Sequence, residues 1–312
     1  MLTRLLSLAS THARLCLIAG LAGGLLLPGL AATLVPWLPL MVAALLTITA
    51  LRIGHRAAWG AGGDLRWGLA SVVILQTLLP LAVLGLLTLL GLQDTPAALA
   101  IVLTCAAPAI TGSVNLALML GLDAGRMMQI LVLGTAAFPL TMLPVLAVLP
   151  QAGDPQQVVL AALRLLVVIV LATGAGFALR AWLFPRPTIR QIKALDGASV
   201  LAFSMIVVGL MAALNPALRS DPWQVLTWAL LAFAISYLLQ ICTLLGLRLT
   251  RLRALAGPLA LGAGNRNIAI FLVALSPEVL GPLMIFIGCW QLPMYLTPML
   301  LPKLYQWTLR ND

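Results

Sequence analysis

Charge is what this chain lacks. Only 8% of its 312 residues are Asp, Glu, Lys or Arg, against about 25% in a typical soluble protein. So few charged groups cannot coat a globular surface. That excludes a soluble enzyme, a disordered chain and a nucleic-acid-binding domain, despite an isoelectric point near 10.7. Histidine and cysteine are scarce too. His12 and His55 sit in basic hydrophilic segments, and Cys16, Cys105, Cys242 and Cys289 lie in apolar stretches with no CxxC spacing. These residues offer no catalytic metal cluster, and no cofactor is expected. All eight acids fall in predicted loops or at predicted span edges, so no embedded carboxylate is available to carry protons. A nucleophile at Ser113 or Thr111 would have no embedded His, Lys or acid to activate it, and an enzyme is therefore not expected.

What is present is apolar: 62% of residues, with a mean hydropathy of +1.10. The apolar runs are continuous, whereas barrel strands alternate apolar with polar residues. A helix bundle is then the spanning structure that satisfies its backbone. At about 20 residues per span, the runs read as ten helices: 15–31, 34–53, 67–92, 97–120, 127–149, 157–182, 194–214, 223–247, 254–275 and 279–303. The N-terminus imitates a secretory signal, but its apolar run extends to about Ala32 and another span follows at once, so it reads as a retained helix. No polar stretch is long enough for a separate soluble domain, so 1–312 reads as one membrane domain.

Orientation follows from Lys and Arg in short loops. With the N-terminus in the cytoplasm, fifteen basic residues fall inside: Arg4, Arg14, Arg52, Arg56, Arg66, Arg126, Arg180, Arg186, Arg190, Lys193, Arg248, Arg251, Arg253, Lys303 and Arg310. Only Arg219 falls outside. The acids divide evenly: Asp64, Asp123, Asp196 and Asp312 inside, Asp94, Asp154, Asp221 and Glu278 outside. The basic excess is thus mostly a topology signal, with both ends cytoplasmic. Trp37, Trp59, Trp67, Trp182, Trp223 and Trp307 sit near predicted span ends, as interfacial anchors do.

Five spans per half invites comparison of the halves. The fourth span carries Pro108, Gly112 and Asn115, and the ninth carries Pro258, Gly262 and Asn265, each pair 150 residues apart. Pro139 and Pro144 in the fifth span share a spacing with Pro293 and Pro298 in the tenth. Proline removes a donor and glycine weakens a helix, so both segments read as helix breaks. Freed backbone groups must line protein or a wet cavity. The half-helix past each break would turn its N-terminal amides toward an anion. This predicts two inverted repeats, 1–150 and 155–312, with broken helices meeting near the bilayer midplane. Two proline-kinked helices with Asn as interhelical glue are the alternative.

Cys105-Ala-Ala-Pro108-Ala-Ile-Thr111-Gly-Ser113-Val-Asn115 resembles the C-P-G-G-T-A-S-N-V stretch of the bile acid:sodium symporter family, and Gly264-Asn265-Arg266-Asn267 sits where that family has G-x-Q-N. The resemblance implies panel helices at 15–53 and 157–214 and core helices at 67–149 and 223–303. It implies a secondary transporter of organic anions in a bacterial inner membrane, with sodium as coupling ion. Gln76, Thr111, Ser113, Asn115 and Asn267 match the family's site. The chain also departs from it: the sodium-coordinating Glu falls on Gly262, the following Gln falls on Arg266, and the fifth-span hydroxyls fall near Met127 and Leu131. Sodium coupling is then expected to be weak or absent. Alternatives are an auxin-efflux-type carrier of the same superfamily and a non-transporting anion sensor.

Two arginines remain inside predicted spans. An embedded Arg costs at least about 2.5–3.5 kcal/mol at mid-span, so something must offset it. Arg266 is expected either to take the place of a sodium ion, bridging Gln76, Asn115 and freed carbonyls and holding the substrate anion, or only to brace the break. Arg164 either snorkels to the outer headgroups or lines the anion cavity. The partners expected are a small organic anion and the bilayer.

Overall fold

The computed structural model describes residues 2–54, 65–149 and 155–309. His55, Arg56, Trp59, Asp64, Asp154, Arg310 and Asp312 lie outside them. The chain is an all-helical membrane protein, and no strand occurs among the described residues. Seven helices are long and apolar enough to cross a membrane, or eight if a bent N-terminal pair forms one span.

The N-terminus differs from the sequence expectation. The expected first span, 15–31, falls on α2 (Ala13–Leu26), which follows α1 (Leu2–Thr11) at a bend of 88°. The next helix, α3 (Pro28–Ile53), already starts at Pro28. A proline has no N–H to continue α2, but its fixed φ suits a first helical position. The following helices are α4 (Leu65–Leu89), α5 (Pro96–Ala106), α6 (Ser113–Met119), α7 (Ala124–Val148), α8 (Pro155–Leu183), α9 (Ile189–Ser220) and α10 (Pro222–Arg248). Then come α11 (Arg253–Gly264), α12 (Phe271–Ala274), α13 (Pro277–Leu300) and α14 (Pro302–Leu309).

Polar loop residues start several of these helices. Oγ1 of Thr95 accepts from the Ala98 amide at 3.1 Å. Oδ1 of Asp123 accepts from the Arg126 amide, and Oδ1 of Asp221 from the Gln224 amide, both at 3.0 Å. Each satisfies one of the first-turn amides that a helix leaves free.

Two groups of helices pack within the bundle. In one, α9 lies against α1, α2 and α3, and α3 lies along α8. In the other, α7 contacts α4, α6 and α11, and α10 contacts α11 and α13. Small residues allow the closest approaches: a side chain at Gly197 of α9 would strike the Leu6 carbonyl of α1, and one at Gly176 of α8 would strike the Thr47 carbonyl of α3. Phe138 and Phe271 meet edge-on with centroids 5.2 Å apart, between α7 and α12. Outside the bundle, Val159, Leu160, Leu163, Val167, Val170 and Leu171 of α8 are exposed, as a lipid-facing surface requires.

Candidate functional site

Three backbone irregularities converge at the centre of the second group. The first is a wide π-helical turn at Ile74–Leu78, inside α4. Such turns leave a carbonyl without its usual intrahelical partner and recur at functional sites. The second is the opening of residues 107–112 between α5 and α6, bounded by Pro108 and Gly112. The third is the opening of residues 265–267 after α11.

The two openings hydrogen-bond to each other. The Ile110 amide donates to the Asn265 carbonyl at 3.0 Å, and the Asn267 amide donates to the Pro108 carbonyl at 2.8 Å. They flank a one-pair antiparallel bridge between Ala109 and Arg266. Backbone groups freed by each break are thereby satisfied by the other, as buried amides and carbonyls require.

The second opening corrects the sequence reading. Pro258 and Gly262 lie inside α11, and the chain opens only at Asn265. Pro258 sits in the second turn, where its missing N–H costs one bond near the helix start and does not end the helix. The shared spacing of 150 residues therefore does not align the two breaks; Ala109 faces Arg266, 157 positions later. The helical stretches past the breaks are also short: seven residues in α6 and seven at 268–274, where a 3-10 turn runs into α12. One or two turns gather little dipole at either N-terminus.

Arg266 occupies the crossing. It is 1% exposed, and its guanidinium donates to three carbonyls. Nε bonds Ala263 at 2.8 Å, Nη1 bonds Ala107 at 2.9 Å and Nη2 bonds Leu75 at 3.0 Å. Ala107 and Ala263 lie at the C-terminal ends of α5 and α11, and Leu75 lies in the π turn. Two negative dipole ends and a freed carbonyl meet there, which is where a cation is stable. Among the described residues the expected bridge to the Gln76 and Asn115 side chains is not seen; three of the five guanidinium N–H donors go to backbone carbonyls instead. Trp290 holds the same residue from behind, its Nε1 donating to the Arg266 carbonyl at 2.9 Å.

The remaining site residues divide between two surroundings. Gln76 is buried, and its Oε1 accepts from Thr141 Oγ1 at 2.9 Å. Asn265 is fully buried. Its Nδ2 donates to the Leu261 carbonyl at 3.1 Å and its Oδ1 accepts from Thr297 Oγ1 at 3.4 Å. Thr297 also accepts from Gln240 Nε2 at 3.3 Å, and Gln240 Oε1 accepts from Tyr305 Oη at 2.9 Å. Ser236 Oγ donates to the Gly264 carbonyl at 2.8 Å. Ser113 is fully buried and its Oγ has no hydrogen-bond partner. Asn267 is half-buried; its amide makes the bridge bond given above.

Thr111, Gly112 and Asn115 instead face a cavity of about 280 Å³ between the two helix groups. Its far wall is formed by α2, α3 and α9, through Leu17, Thr49, Arg52, Asp196, Ser199 and Phe203, while α13 adds Tyr295. Arg52 Nε donates to Asp196 Oδ1 at 2.7 Å. Arg266 does not line this cavity, and neither does Arg164. Arg164 is exposed on α8, beside exposed Leu160, Leu163 and Val167, and faces outward from the bundle.

Sequence reasoning passed over Arg52, Asp196, Thr141, Ser236, Gln240, Thr297, Tyr305 and Trp290. Asp196 had been placed at a span edge, but α9 begins at Ile189 and carries it two turns inside. The capping box of Thr188 and Gln191 marks that start and was legible. No known family model matches the chain, and no curated protein matches it.

Proposed function

We propose that the protein is a secondary transporter of small or amphipathic organic anions, similar in plan to the bile acid:sodium symporters but without strong sodium coupling. One observation carries the reading: two interrupted helices cross and hydrogen-bond at their breaks, beside a cavity that separates two helix groups. Transporters use interrupted helices near the bilayer midplane to bind cargo, and move one helix group against the other. If α1 with α2, α5 with α6, and α11 with α12 each count as one span, the described helices make ten spans, with the eight-residue α14 left over.

The start positions support an inverted repeat. Pro96 and Arg253 open α5 and α11, 157 residues apart. The buried hydroxyls Thr141 and Thr297 are 156 apart. This spacing agrees with the facing of Ala109 and Arg266, so the structural repeat runs at about 157. The Lys and Arg bias supports both termini in the cytoplasm, in a bacterial inner membrane.

Arg266 supports the loss of sodium coupling. A sodium ion is held by oxygens, and carbonyls freed by helix breaks supply them in sodium-coupled carriers. Here a guanidinium already holds three such carbonyls. It stays protonated throughout any cycle, so it is a fixed cation and not an exchanging one.

Reconstitution tests the carrier reading. Liposomes holding the protein should exchange labelled small carboxylates with unlabelled carboxylate inside, saturably and faster than empty liposomes. Saturable binding without exchange would make the protein a sensor and refute transport.

A further inference from the structure

The cavity holds a charged pair that the crossing does not explain. Of the described residues lining it, only Arg52 and Asp196 are charged. Both belong to the same helix group, α3 and α9, so their pairing does not latch the groups together. Their side chains are 24% and 19% exposed. The contact uses one edge of the guanidinium: Nε meets Oδ1 at 2.7 Å. Among the described residues, Nη1 and Nη2 of Arg52 make no hydrogen bond. A third charge stands beside the pair. Nη1 of Arg180 donates to the carbonyls of Leu51 at 3.0 Å and Arg52 at 3.2 Å. Two cations against one acid leave the local balance positive. The rest of the lining is mostly aliphatic or aromatic. Its polar groups include Thr111 and Asn115, whose side chains make no hydrogen bond among the described residues, and Tyr295, whose buried Oη has no partner.

We infer that Arg52 is the anion anchor of this cavity, its outer Nη edge taking the carboxylate of a compact, mostly apolar monoanion while its Nε stays on Asp196. A planar guanidinium has donors on two edges and can hold two carboxylates at once. Asp196 then does two things. It fixes the rotamer of Arg52 before the ligand arrives, and it repels the ligand's charge. The apolar body of the ligand lies along Leu17, Leu21, Phe203 and Leu296, with Tyr295 Oη free to donate to any further acceptor. A volume of about 280 Å³ lies at the low end of small-molecule sites, which fits a single-ring or short-chain acid. This assignment rests on the carrier reading and names the anchor in its cavity.

The test uses the full chain in nanodiscs, with cyclohexanecarboxylate and its neutral amide as matched probes. Binding is read by thermal shift and by titration, against empty nanodiscs. The acid should bind and the amide should not. Arg52→Gln should weaken acid binding by about tenfold or more, the loss of a charge-assisted bond. Asp196→Asn keeps an acceptor for Nε but removes the repelling charge, so it should tighten acid binding. Arg52→Gln leaves Asp196 unpaired and can unfold the protein. The double variant Arg52→Gln with Asp196→Asn removes both charges, should fold, and should bind acid and amide alike. Equal binding of acid and amide by the unaltered protein would overturn the anchor, as would a signal from empty nanodiscs of the same size. So would weaker acid binding in Asp196→Asn. Exchange across liposomes is scored separately. Acid-selective binding without exchange sinks the carrier reading alone, and exchange that ignores Arg52→Gln sinks the anchor alone.

Discussion

At the scale of single residues, Arg266 carries the fold of the crossing. Removing its guanidinium leaves the carbonyls of Leu75, Ala107 and Ala263 without that donor, in a site that water does not reach. Each unsatisfied buried group costs about 1–3 kcal/mol, so Arg266→Gln should lower stability by roughly 3 kcal/mol or more. Thermal unfolding in one fixed lipid measures it. Arg266→Lys keeps the charge but not the three-way fork, and should fall between. Trp290→Phe loses the bond to the Arg266 carbonyl and part of a fully buried indole, and should lower stability by about 1–3 kcal/mol. An Arg266→Gln protein as stable as the original would show that the three bonds do not support the crossing. The sequence made this residue conspicuous, because an embedded arginine demands a partner. It did not name the partners, because backbone carbonyls carry no sequence signature. Arg52 and Asp196 are hidden for the opposite reason: as charges at the edges of predicted spans 34–53 and 194–214 they read as topology signals, and nothing in the sequence pairs them.

At the scale of elements, the places where helices stop decide the architecture. Proline and glycine give a good account of the first opening, since Pro108 and Gly112 bound it. They mislead at the second. Pro258 is accommodated early in α11, and the chain opens at Asn265, Arg266 and Asn267, polar residues that pair with the facing break. What breaks a helix here is a partner for its backbone as much as a poor helix former. The same logic makes Gly264 critical: any side chain there would strike the Ser236 carbonyl and Gln240. Gly264→Ala should cost about 1–3 kcal/mol by overpacking, and hydrogen exchange should show faster opening of the amides of Ile110 and Asn267. Unchanged protection at those two amides would refute the tight fit. At the other end of the chain, Gly197→Val should separate α1 from α9, since its Cβ would meet the Leu6 carbonyl. Limited proteolysis should then cut near Thr11 first. An N-terminus as resistant as in the unaltered protein would contradict that packing.

At the scale of the whole molecule, composition alone established a helical membrane protein, since apolar runs and scarce charge leave no other fold. The pairing of the halves was legible only in outline. A match of proline, glycine and asparagine suggested a repeat at 150 residues, whereas the breaks face each other through Ala109 and Arg266, 157 positions apart. The central claim is that a fixed arginine stands where a coupled carrier would bind its ion. The most direct test is uptake of labelled carboxylate into proteoliposomes under an imposed sodium gradient, with potassium replacing sodium in the control. The account predicts equal initial rates in the two salts and no uphill accumulation driven by sodium. Concentrative uptake that rises steeply with external sodium and collapses in potassium would contradict it.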